Sequence, residues 1–257
     1  MTRGASAGRL RAGALGIGCV LCFVGALGAL AEEPSGQPAG QPSEASAWYD
    51  EAMLYSLLYQ AGQLSKATKA AQRAVKIAER VFGAGDERLA QSLNDLGVLY
   101  QEQGQPAEAA ACHERALSIR KATQPIAPAA VVQSLNNLGK AYYAQQRSAD
   151  AQPLFQESLS LIEQDAEAGP NHPYAVTPLH YLALIASADQ EGDRANTLFL
   201  RAIAVLESQR MKNGPMLIVV LRDYADFLRA TGHVEEADAV EARLADPSAT
   251  STPAPTP

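Results

Sequence analysis

The residues best suited to acid–base or metal chemistry are the four histidines of this 257-residue chain: His113, His172, His180 and His233. They stand in separate segments, with no His-Glu-x-x-His or Cys-x-x-Cys spacing beside them, so the sequence assembles no ligand set for a metal. His172, between Asn171 and Pro173, reads as a linker residue. No Gly-x-Ser-x-Gly elbow, phosphate-binding loop or dinucleotide fingerprint occurs. Cys112 beside His113 reads as a small residue packed on a helix, because a reactive thiol needs a basic setting. Adjacent acids such as Glu235 and Glu236 belong to a solvated face. The expectation is a protein that is not an enzyme and holds neither metal nor cofactor.

Charge narrows the class further. With 21 Lys and Arg against 28 Asp and Glu, the formal charge is −7. That balance argues against a general nucleic-acid binder, which needs clustered positive charge to neutralise phosphates. One pattern runs the other way: Lys66, Lys69, Arg73, Lys76 and Arg80 recur at intervals of 3, 4, 3 and 4. On a helix all five share one face, opposite Ala67, Ala71, Ala74 and Ala78. This stripe is either a solvated outer surface or a patch for an acidic partner or an anionic lipid surface.

The first 31 residues differ in kind. Arg3, Arg9 and Arg11 precede an apolar run from Leu15 to Leu27, followed by Ala29-Leu30-Ala31 and then Glu32 and Glu33. A positive start, a short apolar middle and a small-x-small end are the layout of a secretory signal peptide, which implies a periplasmic or secreted protein. Two alternatives stand beside cleavage: a membrane anchor through residues 12–30, weakened by five glycines, and lipid attachment at Cys19. Removing residues 1–31 takes three basic residues and no acidic ones, leaving 18 against 28 and a charge of −10. One cysteine, Cys112, remains, so no internal disulfide can form. Residues 32–46 and 246–257, rich in Pro, Gly, Ser, Thr and Ala, bury too little to offset chain entropy and read as a disordered tether and tail.

Residues 47–245 repeat. Leu93-Asn94-Asp95-Leu96-Gly97-Val98-Leu99-Tyr100 returns as Leu135-Asn136-Asn137-Leu138-Gly139-Lys140-Ala141-Tyr142, 42 residues later. A recurrent alanine marks five units, Ala67, Ala109, Ala151, Ala195 and Ala237, at spacings of 42, 42, 44 and 42. Inside each unit apolar residues recur at three and four, twice over, which predicts two helices per unit and ten in all. Breaks are expected at Gly62, Gly104, Gln146, around Gly192 and at Gly232, with Asp86 as an N-cap. A fixed period of this size implies a stacked array, in which each unit buries its apolar face against its neighbours.

The Leu-x-x-Leu-Gly-x-x-Tyr phrase, the glycine seven residues on and the alanine five beyond resemble the tetratricopeptide repeat. The 42-residue period, Leu-Asn-Asn-Leu and Gly-Pro-Asn-His-Pro resemble its kinesin-light-chain subclass. Ala183 and Ala225 stand in place of the repeat glycine in units four and five. The resemblance implies an all-α, right-handed solenoid of five helix-turn-helix units that binds a peptide or protein partner in its concave groove. It further implies that the first helix of each unit lines that groove, presenting Asn94, Asp95 and Val98, then Asn136, Asn137, Lys140 and Tyr143, then His180, Tyr181 and Leu184. A carboxamide both donates and accepts, which suits the backbone of an extended peptide.

The alternative is a structural subunit that assembles through the ends of the array. The last helix, Val234 to Leu244, places Ala237, Val240 and Leu244 inward and its charges outward, closing that end and favouring a monomer. The exported product is expected to begin at Glu32, which an intact-mass measurement checks; retention of Arg3 or a lipid on Cys19 would contradict it.

Overall fold

The fold is described from a computed structural model over residues 44–164, 171–208 and 214–245. The leader, most of the expected tether and the tail lie outside these residues. Ten α-helices alternate as first and second members of five units. They are α1 (Glu44–Gln60), α2 (Leu64–Phe82), α3 (Glu87–Glu102), α4 (Pro106–Ala122), α5 (Pro128–Ala144), α6 (Ser148–Gln164), α7 (Val176–Ala188), α8 (Gly192–Ser208), α9 (Pro215–Ala230) and α10 (Val234–Ala245). A 3-10 turn, Pro173–Ala175, leads into α7. α1 starts three residues earlier than the composition suggested. Glu44 in its first turn complements the helix dipole and pairs with Arg80 at 3.3 Å.

The starts and stops have local causes. Asp86 caps α3 by accepting from the Arg88 backbone N–H at 2.8 Å, and proline occupies the first turn of α4, α5 and α9. Between the helices of every unit the chain turns through one left-handed residue: Gly62 (φ 70°), Gly104 (69°), Gln146 (62°), Gln190 (62°) and Gly232 (87°). The next N–H reaches five residues back, as in Gln63 to the Leu58 carbonyl at 2.8 Å and Glu191 to the Ala186 carbonyl at 2.9 Å. All five turns therefore share the Schellman closure of a helix C-terminus. The break expected near Gly192 falls at Gln190 instead, and Gly192 opens α8.

Small residues set the spacing of paired helices. Ala67, Ala109, Ala151, Ala195 and Ala237 are all fully buried. A Cβ on Gly139 would lie 2.7 Å from Phe155 Cζ, and one on Gly97 would lie 2.5 Å from His113 Cε1. Those glycines let an aromatic or imidazole ring rest on the helix backbone. From α3 to α9, consecutive first helices approach one another more closely than consecutive second helices do, which puts the first helices on the inner side of that stretch.

Along the outer side, each pair of neighbouring second helices is tied by an ion pair in one register. Glu79 meets Arg115 at 2.8 Å, Lys121 meets Glu157 at 2.6 Å, Glu163 meets Arg201 at 2.7 Å, and Glu207 meets Arg243. Exposed pairs of this kind contribute about 0 to 1 kcal/mol each.

Gly139→Leu is expected to destabilise the protein by at least about 1 to 3 kcal/mol, because a branched side chain must displace the Phe155 ring. In a urea melt followed by circular dichroism the transition should broaden as well as shift, since damage in an array stays near the altered unit. Unchanged stability would refute the close contact.

Candidate functional site

The inner side of the array is a surface built from one stripe of each first helix. At 3.6 residues per turn, Gln91, Asp95, Val98 and Glu102 fall together on the solvent side of α3. The same places on the next two helices hold Gln133, Asn137 and Lys140, then Thr177, Tyr181 and Leu184. Asp95, Val98, Asn137, Lys140, Tyr143, Tyr181 and Leu184 are half-buried and border this surface.

Three of the residues expected to face a ligand do not. Asn94 is 0% exposed, Asn136 8% and His180 4%. Each precedes the groove stripe by one position, which rotates it about 100° toward the following first helix. There the side chains tie one unit to the next. Asn137 Nδ2 donates to Asn94 Oδ1 at 2.9 Å, His180 Nε2 is bonded to Asp223 Oδ2 at 2.7 Å, and Asn136 Nδ2 donates weakly to the Tyr174 carbonyl at 3.5 Å. Gln101 adds a bond to the Asn137 carbonyl at 3.1 Å. The repeated asparagine is a buried residue that bonds one unit to the next.

Tyr143 and Tyr181 meet edge to face at 5.1 Å, and Tyr181 stacks on Phe155 at 5.1 Å. Burial pushes the Tyr181 phenol up to about 12, so it remains protonated. These rings form the floor of the groove at units three and four.

Sequence reasoning missed Arg120. It closes α4 at a position where units one, three and four have Ala78, Ile162 and Leu206, and it is only 3% exposed. Its guanidinium donates to Glu87 at 2.9 Å and Gln91 at 2.9 Å on α3. On α5 it donates to the Ala130 carbonyl at 3.0 Å, Gln133 at 3.1 Å and Ser134 at 2.9 Å. One side chain thus joins the first helices of units two and three from beneath. A charge at a place the periodicity marks as core was the signal that could have revealed it.

Asp95 sits at the edge of this network. Burial pushes its carboxyl up to about 6, against opposing help from the Tyr55 hydroxyl, Gln91 and the Arg120 charge; Gln91 donates to it at 2.8 Å. His113 is buried, and burial, with Lys140 and Arg120 nearby, lowers its imidazole to about 3, so it is neutral. Burial raises the Cys112 thiol to about 11. Neither group is poised as a base or nucleophile.

The basic stripe lies where the helical spacing put it. Lys66, Lys69, Arg73, Lys76 and Arg80 are all exposed on the outside of α2. Arg73 is held by Glu51 at 2.6 Å and Arg80 by Glu44, leaving the three lysines with no acid bridged to them among the described residues. Among those residues no group of His, Cys, Asp and Glu could hold a metal.

A family model described as tetratricopeptide repeat matches residues 50–122 and 130–208. A crystal structure of kinesin-light-chain TPR-like repeats from Podosopora anserina superposes with a TM-score of 0.65 at 19% identity. It covers 80% of this chain and 97% of its own. BtubC from P. vanneervenii gives 0.64 at 21% identity, covering 80% and 83% of the two chains. PilF of Pseudomonas aeruginosa gives 0.57 at 18%, covering 79% and 78%. No curated protein sequence matches this one.

Because the folded pKa of Asp95 lies above the unfolded value of about 4, ionising it opposes folding, so stability is expected to fall as pH rises from about 4 to 6. Asp95→Asn should flatten that slope and raise stability at pH 7 by about 1 to 2 kcal/mol. Urea midpoints at pH 4.5 and pH 7 check this; an unchanged slope would show that Asp95 is ionised at no cost.

Proposed function

Because the chain belongs to the tetratricopeptide-repeat family, we propose that it serves as a non-enzymatic scaffold, binding an extended segment of a protein partner in the inner groove. The carrying observation is the stripe of half-exposed polar and apolar side chains, Asp95, Val98, Asn137, Lys140, Tyr143 and Leu184, on consecutive first helices. Polar atoms at the rim can satisfy a peptide backbone while Val98 and Leu184 accept apolar side chains. The stripe is held rigid from below by the Asn94–Asn137, His180–Asp223 and Arg120 contacts, which lowers the entropy lost on binding. Work outside the cytoplasm is part of this proposal, supported by the basic start, apolar run and small-x-small end of residues 1–31.

The test compares partners recovered from the cell envelope by the natural chain and by two variants. Val98→Glu with Leu184→Glu should weaken binding at least about tenfold, since each removes apolar contact and places an acid in the groove. Lys69→Ala with Lys76→Ala, on the outer face, should leave binding unchanged. The reverse pattern would assign binding to the basic stripe and refute the groove reading.

A further inference from the structure

The groove changes character along its length. At the stripe place that holds Asp95 and Asn137, the next two first helices carry Tyr181 and Asp223, and at the place of Val98, Lys140 and Leu184 the last one carries Asp226. From α3 to α9 the acids of the stripe are thus Asp95, Glu102, Asp223 and Asp226, and its base is Lys140, two units before α9. Asp223 and Asp226 stand three residues apart and share one side of α9. Arg222 precedes Asp223 by one position, which turns it about 100° from that side. The Asp223 side chain is 27% exposed, with Oδ2 bonded to His180 Nε2 at 2.7 Å. Its other oxygen makes no hydrogen bond among the described residues, and neither acid is bridged there to a lysine or arginine.

Beside this carboxylate the tyrosines form a corner. Tyr143 and Tyr181, both half-buried, cross at 75° with their centres 5.1 Å apart. Phe155 backs one face of Tyr181, nearly parallel to it, and is itself fully buried against Gly139, so the corner is held in place. The His180 ring lies 5.4 Å from Tyr181, which makes Tyr143, Tyr181, His180 and Asp223 one line of contacts. Burial and then the Asp223 charge raise the Tyr143 phenol, and burial, Tyr143 and Asp223 raise that of Tyr181. The field of the carboxylate therefore reaches both rings.

On the footing that a partner segment lies in the groove, we propose that this corner selects a lysine or arginine of that segment. The basic side chain rests on the Tyr143 and Tyr181 rings, and its charged end reaches Asp223 and Asp226. Two crossed aromatic rings attract a cation through their π faces, and a carboxylate on the next helix adds a charge partner. The other side-chain classes gain less. An apolar side chain would cover the Asp223 carboxylate without pairing it, and an acidic one would meet like charge. Leu184, one turn from Tyr181 on α7, gives the neighbouring residue of the segment an apolar contact.

The probe is a library of random peptides of about twelve residues, long enough when extended to cross four first helices. Peptides selected on the full-length chain, and lost with Val98→Glu and Leu184→Glu, should share a lysine or arginine at one position. Changing that residue to glutamine should weaken binding at least about tenfold by fluorescence anisotropy. Asp223→Asn with Asp226→Asn should do the same, and the two losses should not add. Asp223→Asn keeps an acceptor for His180, so the thermal melt should hold. Asp226→Asn alone, at an exposed place, should cost about threefold, which separates charge from any change at the His180 seam. Groove-dependent peptides with no basic position, or with one indifferent to both acids, would overturn the proposal and leave the groove reading standing. A library yielding no groove-dependent peptide would refute the groove reading and the proposal with it. Free arginine amide binding as tightly as the peptides would make the corner a small-amine site and would also overturn it.

Discussion

No unit of this chain can bury its apolar face alone. A first helix such as α3 is covered by its own second helix on one side and by the preceding unit on another, and Leu96 and Leu99 are buried only because both are present. Everything else follows from that dependence. The alanines and the glycines Gly97 and Gly139 let helices approach, the five Schellman turns return the chain between paired helices, and the asparagine and histidine ladder links one unit to the next across the seam. The end units are where the dependence goes unmet.

Much of this was legible in the residues. The alanine ruler located all five units, and every turn falls five residues before one of its marks, even where Gln146 and Gln190 replace glycine. Which side of a helix a repeated residue occupies was less legible. Repetition shows that Asn94 and Asn136 are equivalent, and polarity suggested solvent, but their partners lie 38 to 43 residues along on the next unit. The offset of one residue between Asn94 and Asn137, repeated by His180 and Asp223, could be seen only once the stacking angle was known. Arg120 was hidden for a related reason: periodicity assigns its position to the core, and only the surrounding oxygens of Glu87, Gln91, Ala130, Gln133 and Ser134 explain how a guanidinium can lie there.

The polar groups beneath the groove divide the array. Units two and three are joined by a buried cation with five acceptors, units four and five by an imidazole and a carboxylate. Removing one member of such a set leaves the others desolvated and costs more than the loss of one contact. These seams are therefore stiffer than the outer-face ion pairs that accompany them, and the groove is rigid where its floor is polar.

The outer ion pairs matter more for sequence order than for strength. α4 contributes two bases to the ladder, Arg115 and Lys121, and α6 two acids, Glu157 and Glu163. If α2 were to stack on α6, skipping unit two, Glu79 would face Glu157. If α4 were to stack on α8, skipping unit three, Lys121 would face Arg201. Repeated units are prone to such mispairing, because each offers a similar apolar surface to the others. Like charges in the wrong junctions and opposite charges in the right ones give these neighbours an address, so that a chain of interchangeable cores collapses in one order.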